Sequence, residues 1–250
     1  LIHEADVEEL SDHEMIEDYR LKFFLTEHGY LKKLPLTSLR SAGELKTKEE
    51  DQIIQELEGK NKSDLLLFSD RGLVYKLKSY DIKDHKPSEF GEYTPNLLEL
   101  EEDERILFVH LTEDYSGWLL LGFANGKVAR IPLEAYQTKT NRKKLINAFS
   151  VVSPLVNMYH LEEDEDFFLS SDTRKGLVFN SGSVPVKATR TAQGVQIMLS
   201  RKGSQVISLQ RLSESGITEP KFYRTRTLPA VGSNIRENTL EKRQLRLDEA

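Results

Sequence analysis

The sequence predicts an all-β fold, an array of propeller-like blades, each a four-stranded antiparallel sheet. Three observations predict it. One hairpin design recurs four times in the 250 residues. The segments on either side of each turn are apolar or alternate apolar with polar residues, as half-buried strands do. Further strand candidates follow each hairpin, two of them beside the acidic turns Glu101–Glu104 and Glu162–Asp166. Aligned on the glycines Gly29, Gly72, Gly126 and Gly176, the hairpins are spaced by 43, 54 and 50 residues. Four strands per unit at such a period is the pattern of radially arranged blades.

The second copy, DLLLFSDRGLVYKLKSYDIKD from Asp64, shows the design most clearly. Leu65 to Phe68 form an apolar run, Ser69-Asp70-Arg71-Gly72 supplies a turn whose glycine tolerates positive φ, and Leu73, Tyr75 and Leu77 then alternate with Val74, Lys76 and Lys78. The other copies begin at Leu21, Trp118 and Phe167.

Taken in order, residues 1–20 are an acidic linker or short helix, and residues 21–211 hold the repeats. The first hairpin closes at Pro35, which cannot donate a ladder hydrogen bond, and Gln52 to Leu57 read as its return strand. After the second hairpin, a loop with Pro87 and Gly91 leads to strand candidates at Asn96 to Leu100 and Arg105 to Leu111. The third hairpin turns at Asn125-Gly126 and ends at Ile131-Pro132-Leu133, a second copy of Leu34-Pro35-Leu36. Lys139 to Lys144, KTNRKK, is the most basic short segment, and strand candidates at Ser150 to Val152 and Leu155 to Leu161 come next. After the fourth hairpin, Ala192 to Leu209 read as two strands about Arg201-Lys202-Gly203. Residues 212–250 are a blade-closing segment and charged tail, and the array has four to five or six blades, a fifth forming if the Tyr223 to Val231 region closes the ring.

Composition excludes several classes of function. There is no cysteine, hence neither a disulfide framework nor a thiolate metal site. No apolar run approaches a membrane span and no signal-peptide pattern opens the chain, so a cytoplasmic location without membrane contact is expected. The net charge of −6 opposes a polyanionic partner as a whole, although the charges are unevenly spread. The scattered histidines lack zinc-site spacing, the acidic turns lack the Asx-Gly spacing of a calcium loop, and there is no Walker loop or nucleophile elbow. No cofactor is expected.

The hairpin with its Pro-containing strand end, HGYLKKLPLTSL and NGKVARIPLEAY, together with the companion half-repeat QGVQIMLSRKGSQVISL, resembles the repeat of the C-terminal domain of the bacterial gyrase A subunit, shared with its topoisomerase IV counterpart. The resemblance spans roughly residues 18–210. It implies a β-pinwheel, a propeller-like disc with exchanged strands, that binds and bends duplex DNA. The same resemblance implies that the DNA is presented to the catalytic core of a type IIA topoisomerase A subunit, which works with the ATPase B subunit, and that the protein is nucleoid-associated. Gyrase A subunits carry a basic box, QRRGGRG, after the first hairpin. Here the corresponding stretch, LRSAGELK from Leu39, keeps only Arg40 and Gly43 and adds Glu44, so a diverged or topoisomerase IV-like domain without strong wrapping is expected. No tyrosine has the Arg-Tyr setting of the cleavage site, so this segment breaks no strand itself and any ATP-dependent isomerase activity belongs to the parent protein.

Bending duplex without sequence readout needs cations placed to meet phosphates. The candidates are Lys32, Lys33 and Arg40 in the first unit, and Arg71, Lys76 and Lys78 in the second. In the third they are Lys127, Arg130, Lys139, Arg142, Lys143 and Lys144, and in the fourth Arg174, Lys175, Lys187 and Arg190. KTNRKK is expected to supply the main phosphate contact. Two other readings stay open: solvated strand faces on which lysine discourages aggregation, and a propeller that serves as a protein-interaction module with little DNA binding.

Overall fold

The computed structural model describes residues 15–40, 42–138 and 143–237. Sixteen strands form four four-stranded antiparallel sheets. The strands are β1 (Arg20–Thr26), β2 (Tyr30–Pro35), β3 (Ile53–Lys60), β4 (Asp64–Ser69), β5 (Val74–Lys78), β6 (Glu92–Tyr93), β7 (Ile106–Thr112) and β8 (Trp118–Phe123). They continue as β9 (Lys127–Pro132), β10 (Lys144–Leu145), β11 (Leu155–Leu161), β12 (Asp166–Ser171), β13 (Lys175–Asn180), β14 (Val195–Gln196), β15 (Val206–Arg211) and β16 (Ser233–Asn234).

Every sheet follows one rule. A hairpin forms its centre, a long companion strand pairs with the first hairpin strand, and a two-residue strand pairs with the second: β3-β1-β2-β6, β7-β4-β5-β10, β11-β8-β9-β14 and β15-β12-β13-β16. The two-residue strands arrive out of turn. β6 follows the second hairpin yet edges the first sheet, β10 follows the third and edges the second, and β14 follows the fourth and edges the third. This is the strand exchange that the resemblance implied. The chain divides into two compact units, Leu1–Asp114 with Thr140–Ile146 and Tyr115–Lys139 with Asn147–Ala250. The first holds the first two sheets, the second the last two.

Apolar runs become strands covered on both faces. Leu65, Leu66, Leu67 and Phe68 are fully buried, as are Leu119, Leu120 and Leu121. Unit 1 is cored by Phe23, Leu25, Leu31, Leu65, Leu67 and Val109, and unit 2 by Leu120, Phe167, Leu169, Leu177, Phe179 and Leu209. Each such side chain contributes about 1.5–3 kcal/mol on burial. Sheets within a unit are also joined by side-chain amides. Gln55 of β3 donates from Nε2 to the Val109 carbonyl (2.6 Å) and accepts the Val109 N–H at Oε1 (2.8 Å), in the manner of a peptide group. At the equivalent place in unit 2, Asn157 of β11 donates to the Leu209 carbonyl (3.2 Å).

Several expectations need correction. In the fourth hairpin the turn residue is Arg174, not Gly176. Arg174 N–H donates to the Ser171 carbonyl (3.0 Å), as Gly29, Gly72 and Gly126 donate to residues three earlier, and Arg174 takes φ 55°. Gly176 lies inside β13, where a Cβ would stand 2.5 Å from the Phe168 ring. Asn96 to Leu100 is no strand, because Thr94–Leu98 is a short helix with Pro95 in its first turn, where the missing N–H costs nothing. Ser150 to Val152 is no strand: Ser150 is buried, and Val151 and Val152 are exposed in an irregular segment. The two strands expected within Ala192 to Leu209 form, as β14 and β15, but do not pair with each other; β14 joins β9 and β15 joins β12. The region from Tyr223 builds no fifth sheet among the described residues. Instead β16 completes the fourth, and Tyr223 packs its buried ring edge-on to Phe168 (5.4 Å).

Candidate nucleic-acid interface

A cation that meets phosphate must be both exposed and unspent. Counting four residues on from the turn residue gives Lys33, Lys76 and Arg130 in the first three hairpins, an apparent stripe, with Val178 in the fourth. The stripe points inward. Lys33 is 2% exposed, and its ammonium donates to Asn61 Oδ1 (2.7 Å) and the Ile82 carbonyl (2.9 Å) and pairs with Asp84 (3.2 Å). Arg130 is 6% exposed, lies 4.2 Å over the Trp118 ring and pairs with Asp164 (2.8 Å). Lys76 is half-buried, and burial lowers its pKa, as it does for Lys33.

The position is special because the exchanged chain lands there. The Lys33 carbonyl accepts from His85 N–H (2.8 Å), the Arg130 carbonyl from Lys187 N–H (2.9 Å), and Lys76 N–H donates to the Lys143 carbonyl (2.8 Å). Lys33 and Arg130 therefore hold the incoming segment as well as the sheet. Lys32 is likewise buried, donating to the carbonyls of Lys46 (2.7 Å) and Pro87 (3.2 Å), and burial lowers its pKa. As expected DNA contacts, Lys32, Lys33 and Arg130 are corrected to internal supports.

The remaining candidates divide. Lys78 is half-buried against Asp64 (2.5 Å), Lys127 against Gln193 (3.1 Å), and Arg190 donates to the carbonyls of Ala135 (3.0 Å) and Asn147 (3.2 Å). Arg71 is exposed but donates to the Glu102 carbonyl in the acidic turn. Arg40, Lys143, Lys144, Arg174 and Lys187 are exposed and Lys175 half-buried. Lys139 and Arg142 lie outside the described residues. The part of KTNRKK that is described does not belong with the third sheet: Lys144 edges the second sheet as β10, with its ammonium 5.1 Å from the Tyr75 ring. Tyr75 in turn donates to the buried Glu104 (3.0 Å), so an acid stands close behind this segment.

Sequence reasoning missed a group of cations in unit 2. The fourth sheet's edge brings three stretches together: Ile235 N–H donates to the Arg174 carbonyl (2.9 Å), Lys175 faces Asn234, and Arg224 bridges to Val178. The Arg236 guanidinium lies 3.9 Å over the Phe222 ring, and its N–H donates to Tyr223 Oη (3.1 Å). Arg174, Lys221 and Arg226 are exposed in these stretches, while Arg236 is engaged with Phe222 and Arg224 is paired with Asp166. Of these, Arg174 is a candidate the sequence already offered, whereas nothing in the local pattern marks Lys221, Arg226 and Arg236, which lie beyond the last hairpin repeat.

The partition of charge agrees. Unit 1 carries 18 Lys and Arg against 28 Asp and Glu, formally −10, and unit 2 carries 17 against 13, formally +4. The net −6 conceals one acidic and one basic half.

Comparison with known proteins accords with this architecture. The family model described as DNA gyrase C-terminal domain, beta-propeller, matches residues 23–44, 63–113 and 165–213. Among curated proteins, the DNA gyrase A subunit of Rickettsia prowazekii (strain Madrid E) is 28% identical over 230 residues, 87% of this chain and 25% of that protein. The DNA gyrase A subunit of Staphylococcus aureus (strain MRSA252) is 25% identical over 222 residues, 85% of this chain and 25% of that protein. The chain thus spans about a quarter of the length of these relatives. Among solved structures, the C-terminal domain of DNA topoisomerase IV superposes with a TM-score of 0.74 at 20% identity, covering 90% of this chain and 76% of that one. The E. coli ParC C-terminal domain gives 0.63 at 14% identity, covering 88% and 95%.

Proposed function

Because its matched repeats belong to the DNA gyrase C-terminal domain family, we propose that this chain is a sequence-tolerant duplex-binding and bending domain of a cytoplasmic type IIA topoisomerase A subunit. In this reading it presents DNA for strand passage to the catalytic core of its parent protein, which works with an ATPase B subunit. The observation that carries the reading is the formal +4 of unit 2 together with the exposed Arg174 in the fourth hairpin's turn and Lys221 and Arg226 in the segment that leads to β16. Side chains on a rigid sheet edge meet phosphates at fixed spacing, and each phosphate met releases counterions whatever the base sequence. With Arg40 and Lys46 the exposed cations at the place of the basic box, Lys46 lying 4.9 Å from the Phe90 ring, and Glu44 exposed between them, a shallow bend is favoured over a tight wrap.

Binding of a duplex of about 40 base pairs across a salt series tests this, because log K falls with log salt by about 0.9 per phosphate engaged. Lys221→Gln/Arg226→Gln should flatten the slope by about 2, and Arg71→Gln should leave it unchanged. Absence of parent binding at low salt, or a double variant with the parent's slope, overturns the reading and leaves the protein-interaction module, which the acidic unit 1 favours.

A further inference from the structure

Unit 1 contains a half-open groove of about 1130 Å3 between the first hairpin's turn and the acidic turn that leads into β7. That is larger than the roughly 300–1,000 Å3 of a small-molecule pocket, and its chemistry opposes nucleic acid. One wall is aromatic. Tyr30 and Tyr93 are 5.1 Å apart between ring centroids, and Tyr93 is 40% exposed. The rim is acidic, with Glu49, Glu101, Glu102 and Asp103 all exposed and in no ion pair among the described residues. The two arginines beside it are turned to other partners, Arg71 to the Glu102 carbonyl and Arg105 to Asp70 (3.6 Å).

That lack of pairing is only partly shared by the other acidic turn, where Glu162 and Glu163 are exposed and in no ion pair among the described residues but the three acids after them are paired. There Asp164, Glu165 and Asp166 are each matched by an arginine of the same unit: Arg130, Arg211 and Arg224. The aromatic wall already accepts ammonium groups, since Lys48 Nζ lies 5.7 Å from the Tyr30 ring and 4.4 Å from Phe90 beside it, and Lys46 Nζ lies 4.9 Å from Phe90. Ring faces and carboxylates together select cations, arginine above all, because a guanidinium both stacks and forks onto a carboxylate. In a unit of formal charge −10, a cationic ligand also relieves repulsion among the rim carboxylates.

We propose that this groove is a docking site for an arginine- or lysine-rich peptide segment of a partner protein. It is separate from the basic edge in unit 2 and does not depend on the DNA reading. The test is fluorescence anisotropy of the full chain with a short labelled peptide of alternating arginine and glycine. Glu101→Lys/Glu102→Lys reverses the rim, and Glu162→Lys/Glu163→Lys makes the same change of net charge at the other acidic turn. The rim variant should weaken peptide binding about tenfold or more, from two attractions lost and two repulsions added, with the control within about twofold. Tyr93→Leu should weaken it further for the arginine peptide than for a lysine analogue. Duplex binding by the rim variant should match or exceed the parent's. Equal weakening in both charge-reversed variants, no peptide binding by the parent, or loss of duplex binding in the rim variant overturns the proposal.

Discussion

Replacing Lys33 with methionine separates an internal support from a DNA contact. Methionine keeps most of the aliphatic stem and deletes the ammonium, which is 2% exposed with its residue and bonded to Asn61 Oδ1, the Ile82 carbonyl and Asp84. Two uncharged acceptors lose a donor, at about 1–3 kcal/mol each where no water replaces it. Asp84 is half out of the structure and rehydrates, so its share is small. The two losses together come to about 2–6 kcal/mol, the range expected here. Urea denaturation followed by far-ultraviolet circular dichroism measures it. Fluorescence does not serve, because the single tryptophan, Trp118, reports unit 2. Amide exchange should rise at His85, whose N–H donates to the Lys33 carbonyl. The salt dependence of duplex binding should be that of the parent wherever the variant is folded. A variant destabilised by less than about 1 kcal/mol, or one with a flatter salt slope, would refute the assignment of Lys33 as an internal support.

Other perturbations test other links. Arg174 holds φ 55° where three sister turns have glycine, so Arg174→Gly should raise stability by about 1 kcal/mol and still weaken duplex binding; the denaturation midpoint and the salt series read the two effects separately. Gln55→Leu strands both the N–H and the carbonyl of Val109, and should cost about 1–3 kcal/mol with faster exchange of the Val109 amide. His85 is buried, accepts Lys33 N–H at Nδ1 (3.1 Å) and presents Nε2 to Glu92 (3.5 Å), with Glu89 and Lys83 nearby. Burial holds its pKa below the ordinary 6.5 despite those carboxylates, so the folded form favours neutral imidazole. Unfolding then takes up a proton as pH falls below 6.5, and stability should decline from there until the folded pKa is passed. His85→Gln should flatten that part of the stability profile relative to the parent.

The all-β class, the four hairpins and their proline ends were legible in the sequence because they rest on local physics. Alternation, apolar runs such as Leu65 to Phe68, and turns such as Asn125-Gly126 each act within a few residues. The limit of that legibility is visible at Gly176, where the glycine suits a close approach by Phe168 rather than a turn. It is visible again at Asn96 to Leu100, where Pro95 starts a helical turn that an apolar run alone does not reveal.

Only the tertiary structure decided what each charge does. Lys33, Lys76 and Arg130 recur at one place in the repeat, and from sequence that looks like a stripe facing solvent. Strand exchange brings a segment from beyond the following hairpin across that place and turns Lys33 and Arg130, which looked available for phosphate, into buried donors, with Lys76 half-buried. The same exchange moves the described part of KTNRKK to the second sheet's edge in the acidic unit. Ile235, which follows the last repeat, meets Arg174 only when β16 pairs with β13. Periodicity fixes which face of a strand a residue occupies, but what covers that face comes from dozens of residues away. The hairpins are therefore written locally, and the interface is written by the chain that crosses them.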